Sequence, residues 1–186
     1  MELALELMAE RGARGMSMRH LAAAAGMNVA SLYHYFPSKQ ALLGAVIEQS
    51  GHADVLSGQP PPIPEGVTEE EAIAALLWHS WEAMLGVEGY VRVMIGEALR
   101  HETAATTVGT DLRARTHASL EQWVKEATPG LCDALGAAPL ARLLETVLVG
   151  VFIDHVTAPA AKARPALRRR AEEVARLLCA GRSPGC

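Results

Sequence analysis

Apolar residues recur at helical spacing through most of the chain, and nowhere do they alternate in twos as a half-buried strand requires. Leu3, Leu7 and Met8 share one face of a first helix predicted over Glu2–Arg11, which Gly12 should stop. Ser17 is placed to cap a short helix from Met18 to about Ala25, and Gly26 follows where a turn between helices needs positive φ. Asn28 caps a third helix, from Val29 to about Tyr35. Pro37 breaks it, and Ser38 caps a fourth that runs from Lys39 to the region of Ser50. Such short, closely capped helices leave room only for very tight connections.

The segment Ser57–Gly66, with its Pro-Pro-Pro-Ile-Pro run, cannot be regular structure and marks a boundary, so domains are predicted over residues 1–50 and 51–186. Beyond it, Thr68 and Glu71 form a T-x-x-E capping box that opens a long helix to about Gly86. Further helices are predicted over about Glu88–His101, Asp111–Thr128, Leu140–Thr157 and Ala166–Ala180, with Pro129-Gly130 as punctuation. The chain reads as all-α.

Composition agrees with helix. Half of the 186 residues are apolar and only 4% are aromatic, which disfavours both disorder and sheet. A net charge of -4 excludes a globally basic nucleic-acid coat, yet the charge is unevenly spread. Between Arg11 and Lys39 there is no Asp or Glu, while Arg11, Arg14, Arg19, Lys39, His20 and His34 all fall there. That basic window is a candidate polyanion-facing surface. Cys132, Cys179 and Cys186 show no CxxC spacing and read as reduced thiols, not as a disulfide framework or zinc site. No apolar run approaches the roughly 18–20 residues of a membrane span, and no leader pattern opens the chain. A cytoplasmic protein with no membrane partner is expected.

Two short helices that cross closely need small residues at the crossing and Gly at the turn, and Ala22–Ala25 with Gly26 supply both. Leu21, Met27, Leu32 and Phe36 are spaced to form their shared core, leaving Val29, Ala30, Ser31, Tyr33 and His34 outward. Short side chains let a helix enter the major groove, where Val29 and Ala30 would touch thymine methyls and Ser31 a base edge. Arg19, His20 and Lys39 lie in the first turns of their helices, where a cation opposes the macrodipole at a cost of about 0.3–1 kcal/mol. A phosphate bound there reverses the sign, because backbone N–H groups and cation converge on one anion.

These residues resemble the N-terminal domain of the TetR (tetracycline-repressor-like) family of bacterial regulators. The family pattern is matched by Gly12, Leu21-Ala22, Ala25-Gly26-Met27-Asn28, Leu32-Tyr33-His34-Tyr35-Phe36 and Ser38-Lys39. The resemblance implies a three-helix helix-turn-helix DNA-binding domain joined by a connecting helix to a helical domain for ligand binding and dimerisation. It also implies that Tyr33, His34 and Lys39 hold phosphates, that Asn28–Ser31 read bases, and that Ser17 caps the second helix against the backbone. The sequence departs from the family at its start. Members carry a basic arm and one more helical turn before the equivalent of Leu3, whereas Met1 here falls inside the first helix, so a start codon upstream is the alternative to a missing arm.

The expected function is therefore a homodimeric repressor, released from double-stranded operator DNA by a largely apolar small-molecule effector. Candidate effector contacts are Trp78, Trp81, Met84, Met94, Glu97, His101 and Trp123. Glu97 and His101, at i and i+4, also have a metal-ligating spacing, with His79, His117, Asp154 and His155 as further polar candidates, but an isolated Glu-x-x-x-His is a weak signal and no metal or cofactor is expected. Dimerisation is expected on the two last helices through Leu140, Leu144, Val147, Leu148, Val151, Leu167, Val174 and Leu178. The competing readings are an activator or ligand-independent regulator on the same scaffold, and an all-α small-molecule-binding protein or enzyme. No G-x-S-x-G, H-E-x-x-H or phosphate-binding Gly loop supports an enzyme.

Overall fold

The computed structural model describes residues 1–51, 60–157 and 164–180; the first part of the expected boundary, Ser57–Gln59, and Cys186 lie outside them. Ten helices are found among the described residues: α1 (Glu2–Gly15), α2 (Met18–Ala24), α3 (Val29–Tyr35), α4 (Lys39–Gly51), α5 (Glu69–Gly86), α6 (Glu88–Ala98), α7 (Thr103–Ala127), α8 (Pro129–Leu135), α9 (Ala137–Thr157) and α10 (Arg164–Cys179). They form two compact units. The first comprises Met1–Asp54 with Gly86–Arg113, and the second Val55–Leu85 with Ala114–Cys186. Among the described residues no single helix is long and apolar enough to cross a membrane; α8 and α9 pass only as a pair, and a 99° bend separates them.

In the first unit the caps stand where the sequence places them. The backbone N–H of His20 donates to Ser17 Oγ (3.1 Å), that of Ala30 to Asn28 Oδ1 (2.8 Å) and that of Ala41 to Ser38 Oγ (3.0 Å). Gly12 does not end α1. It breaks the helix at φ 70°, ψ 154°, a conformation open essentially to glycine alone, and one more turn follows to Gly15. Helices of seven residues such as α2 and α3 are unstable alone, so packing must hold them. Met18, Leu21 and Ala22 bury α2, whereas α3 buries only Leu32, with Val29 and Phe36 partly covered.

Two expectations about this packing are corrected. Met27 is 40% exposed rather than in the shared core, because the turn at Gly26 (φ 63°) carries it outward. Of the alanine run only Ala22 is buried, and Ala23, Ala24 and Ala25 face solvent. The core is completed instead by α4 through Leu42, Leu43, Val46 and Ile47, and by Tyr90 and Val93 of α6, which packs along α1.

Helix α6 ends at Ala98, not at His101. The N–H of Glu102 bonds to Glu97 O (3.1 Å) across a residue in left-handed conformation, and that residue is His101 (φ 59°). A side chain makes this conformation costly where glycine adopts it freely. His101→Gly should therefore raise stability by about 0.5–1 kcal/mol, read as a higher thermal midpoint; a lower midpoint would show that the imidazole makes a compensating contact.

Helix α7 begins at Thr103, ahead of the expected Asp111, through a threonine-rich stretch with poor intrinsic propensity. Burial of Ala105 explains the difference, and it outweighs Thr106 and Thr110, whose hydroxyls donate back to the carbonyls of Glu102 (3.2 Å) and Thr106 (2.8 Å).

The second unit is built on α5, the later part of α7, α8, α9 and α10, around Ile73, Leu76, Leu120, Leu131, Leu144 and Phe152. The capping box at α5 is complete: Glu71 N donates to Thr68 Oγ1 (3.2 Å), and Thr68 N to Glu71 Oε2 (2.8 Å). The backbone N–H and hydroxyl of Thr68 hold the Glu71 carboxyl below its usual value of 4.5. A folded-state pKa depressed in this way adds stability that is full above pH 4.5 and lost as pH falls through the lowered value. Thermal midpoints of the wild type should thus fall more steeply below pH 4.5 than those of Glu71→Gln; parallel profiles would exclude the box as a contributor.

Helix α8 replaces what the sequence presents as punctuation. Pro129 sits in its first turn, where a missing N–H is no loss, and Gly136 (φ 81°) closes it.

Candidate nucleic-acid interface

The short side chains expected to meet DNA project from α3. Asn28, Ala30, Ser31 and His34 are exposed, Tyr33 is 47% exposed, and Val29 is half-buried against the core. Leu32 and Phe36, one turn apart, hold the helix from beneath, so the three residues between them all face outward. That arrangement adds Tyr35, which is 68% exposed and stands edge-on to His34 at 5.7 Å between ring centroids. The Leu32/Phe36 spacing carried this signal in the sequence.

The cations are arranged less simply. Arg19 is exposed beside the capped start of α2. Lys39 is half-buried, and its Nζ donates to the Arg14 carbonyl (2.7 Å), tying the start of α4 to the end of α1. Its other two N–H donors remain for a phosphate. The Ser17 hydroxyl is taken up by capping, as the resemblance implies.

The expected effector residues divide between the units. Met94 and Glu97 are buried in the first, and Glu97 pairs with Arg100 (2.8 Å). His101 is exposed beyond the end of α6, so the i,i+4 pairing of Glu97 with His101 on one helix face does not form. In the second unit Trp81, Met84 and Trp123 are core residues, and Trp78 is half-buried with the Arg168 guanidinium 6.0 Å above its ring. Trp78 and Trp81 line a narrow crevice with Leu77, Val147, Val151 and Arg170, of about 20 Å³, which is room for water rather than for an organic ligand. Trp81 Nε1 and Ser80 Oγ are buried without a hydrogen-bond partner among the described residues. His79 stacks edge-on to Trp123, His155 to Trp81, and His117 lies 3.3 Å from Glu145. No group of three metal-ligating side chains occurs among the described residues.

The residues expected to pair α9 and α10 with a partner differ in how far the chain itself covers them. Leu140, Leu144, Leu148 and Leu167 are buried within the chain and have little surface left to give a partner. Val147, Val151, Val174 and Leu178 are half-buried. The apolar side chains left outside are Leu143, Val149 and Ile153 of α9 and Leu177 of α10.

Residues 1–46 match the sequence profile of the bacterial regulatory proteins of the tetR family. The chain is 30% identical over 134 residues to the HTH-type transcriptional repressor KstR2 of Rhodococcus jostii (strain RHA1), a match that covers 69% of this chain and 65% of that one, just under two thirds of its length. Its fold is shared with the TetR family regulator PfmR of Thermus thermophilus at a TM-score of 0.69 and 20% identity, over 99% of this chain and 95% of that one. A transcriptional regulator from Rhodococcus sp. Rha1 superposes at 0.72 with 18% identity, over 97% and 94%. Residues 1–46 thus carry a head similar to that of the tetR family of bacterial regulatory proteins, and the chain shares its all-helical fold with PfmR and the Rhodococcus regulator.

Proposed function

We propose that the chain is a homodimeric, ligand-responsive transcriptional repressor that reads duplex operator DNA, and not an enzyme. One observation carries the reading: α3 is a doubly anchored helix whose outward face holds only Ala30, Ser31 and a Tyr-His-Tyr group, with no acid between Arg11 and Lys39. Val29, Ala30 and Ser31 take the base edges and Asn28 the turn beside them, while Ser17, Arg19, Tyr33, His34 and Lys39 position the head on phosphates. Residues 1–50 are assigned this role, and residues 51–186 effector binding and dimerisation, in a cytoplasmic protein.

Two reading helices on DNA need a two-fold pair, so that half-sites recur one turn, about 34–36 Å, apart. Leu143, Val149, Ile153 and Leu177 supply the exposed apolar surface on α9 and α10 for that pairing. The effector is assigned a largely apolar body, because a crevice in the second unit is lined by two tryptophans and aliphatic side chains with Arg170 as its one charge. The crevice must widen to admit it, and Trp81 Nε1 is a donor such a ligand would satisfy. Effector binding then weakens DNA affinity through a coupling of about 1–3 kcal/mol.

A reporter driven by the DNA flanking its own gene tests the reading in cells. Deleting the gene should raise expression, and Ser31→Glu, which sets a carboxylate against the DNA, should raise it as much. A fall on deletion would make the protein an activator on the same scaffold. No change in either strain would remove the regulatory assignment.

A further inference from the structure

Arg11 lies one residue before the break in α1, and its Nη1 stands 2.7 Å from Nδ1 of His20 on α2. A guanidinium can only donate, so Nδ1 is the acceptor and the imidazole in this bond is neutral, with its proton on Nε2. An exposed arginine is more usually paired with a carboxylate. None of Arg11, Arg14 and Arg19 has such a partner among the described residues, and the nearest acids in sequence are Glu10 and Glu48. Lys39 gives one N–H to the Arg14 carbonyl and keeps two for an anion, and the three arginines join it as the cations of this acid-free window. Among the described residues Arg11 is the one arginine of the three held by another side chain. The bond to His20 leaves the guanidinium its full charge and four of its five N–H donors, and restricts the rotamers that a floppy side chain loses on binding.

We propose that Arg11 is a phosphate anchor of the DNA-reading head, and that His20 is the positioning residue that holds it in place. The inference rests on the DNA-reading assignment above and adds to it a contact and a residue pair outside the recognition motif. The chemistry recognised is the phosphodiester backbone of duplex DNA, without base preference.

The test is the salt dependence of binding to a labelled 30-base-pair duplex of mixed sequence, with thermal midpoints recorded for each variant. Arg11→Gln should lower the slope of log affinity against log salt by about 0.9 per head, so that the wild-type advantage shrinks about 3.5-fold per head between 50 and 200 mM salt. Arg11→Lys should keep the slope. His20→Leu should weaken binding about two- to tenfold at nearly unchanged slope, through the lost ordering of Arg11. His20→Asn, whose Oδ1 stands where Nδ1 does, should restore it. A wild-type slope and affinity in Arg11→Gln would overturn the anchor, and wild-type affinity in His20→Leu would overturn the positioning role. Failure of the unaltered protein to bind duplex at all would overturn the DNA-reading assignment as well, and so separates the two.

Discussion

Replacing Leu32 with alanine should cost about 2–5 kcal/mol and abolish DNA binding at temperatures where the second unit stays folded. The size follows from how little holds α3. It has seven residues, too few to persist alone, and Leu32 is its one buried side chain, 4% exposed, against the core built by α1, α2 and α4. Val29 and Phe36 are only partly covered and cannot replace it. Removing the side chain opens a cavity at the centre of the helix-turn-helix. The collapse that would fill it must move Ala30 and Ser31, the exposed residues proposed to face the groove. Calorimetry with a duplex-binding assay checks this. Ser31→Ala is the companion: being exposed, it should stay within about 0.5 kcal/mol of wild type while altering base preference. An unchanged midpoint in Leu32→Ala would mean that α3 is held by something other than its buried leucine.

Glu69→Ala should have the next largest effect, about 2–4 kcal/mol, and it lies in the second unit. Glu69 is buried in the first turn of α5, and its carboxylate spans the start of α8, accepting from Gly130 N (2.5 Å) and Leu131 N (3.0 Å). Thr128 stands at the cap position of α8, but its hydroxyl donates back to Val124 O (2.8 Å), and Pro129 has no N–H to offer. Without the carboxylate two amide N–H groups lose this charged acceptor at a nearly closed site. A Cβ at Gly130 would lie 3.1 Å from both carboxylate oxygens, so Gly130→Ala should also destabilise by disturbing the same cap. Denaturant midpoints check both, and amide exchange at residues 130 and 131 locates the damage. Unaltered exchange there in Glu69→Ala would rule out the cap as its cause.

What the sequence disclosed and what it hid separate along a physical line. Ser17, Asn28, Ser38 and the Thr68–Glu71 box were legible because a cap acts over three residues. The outward face of α3 was legible for the same reason, from the spacing of Leu32 and Phe36. Helix α8 was not, since its cap arrives from a residue 61 positions away. The early start of α7 was hidden likewise, because burial of Ala105 overrides the weak helical preference of its threonines. Periodicity showed α9 to be apolar on a wide face but could not say which part faces its own core. Leu140, Leu144 and Leu148 do, and Leu143, Val149 and Ile153 do not. Glu97 and His101 illustrate the same limit: a spacing of four places two side chains on one face only if the helix persists, and here it ends at Ala98, with His101 itself in left-handed conformation.

The central claim is that the first forty-six residues form a head that reads DNA sequence. Competition binding at about 0.15 M salt tests it most directly, with DNA flanking the protein's own gene set against a shuffled duplex of equal length and composition. A sequence-reading dimer should prefer the native duplex by a factor of about 10³ or more, with a footprint in two halves related by a two-fold axis. Equal affinities for the two duplexes would contradict the account.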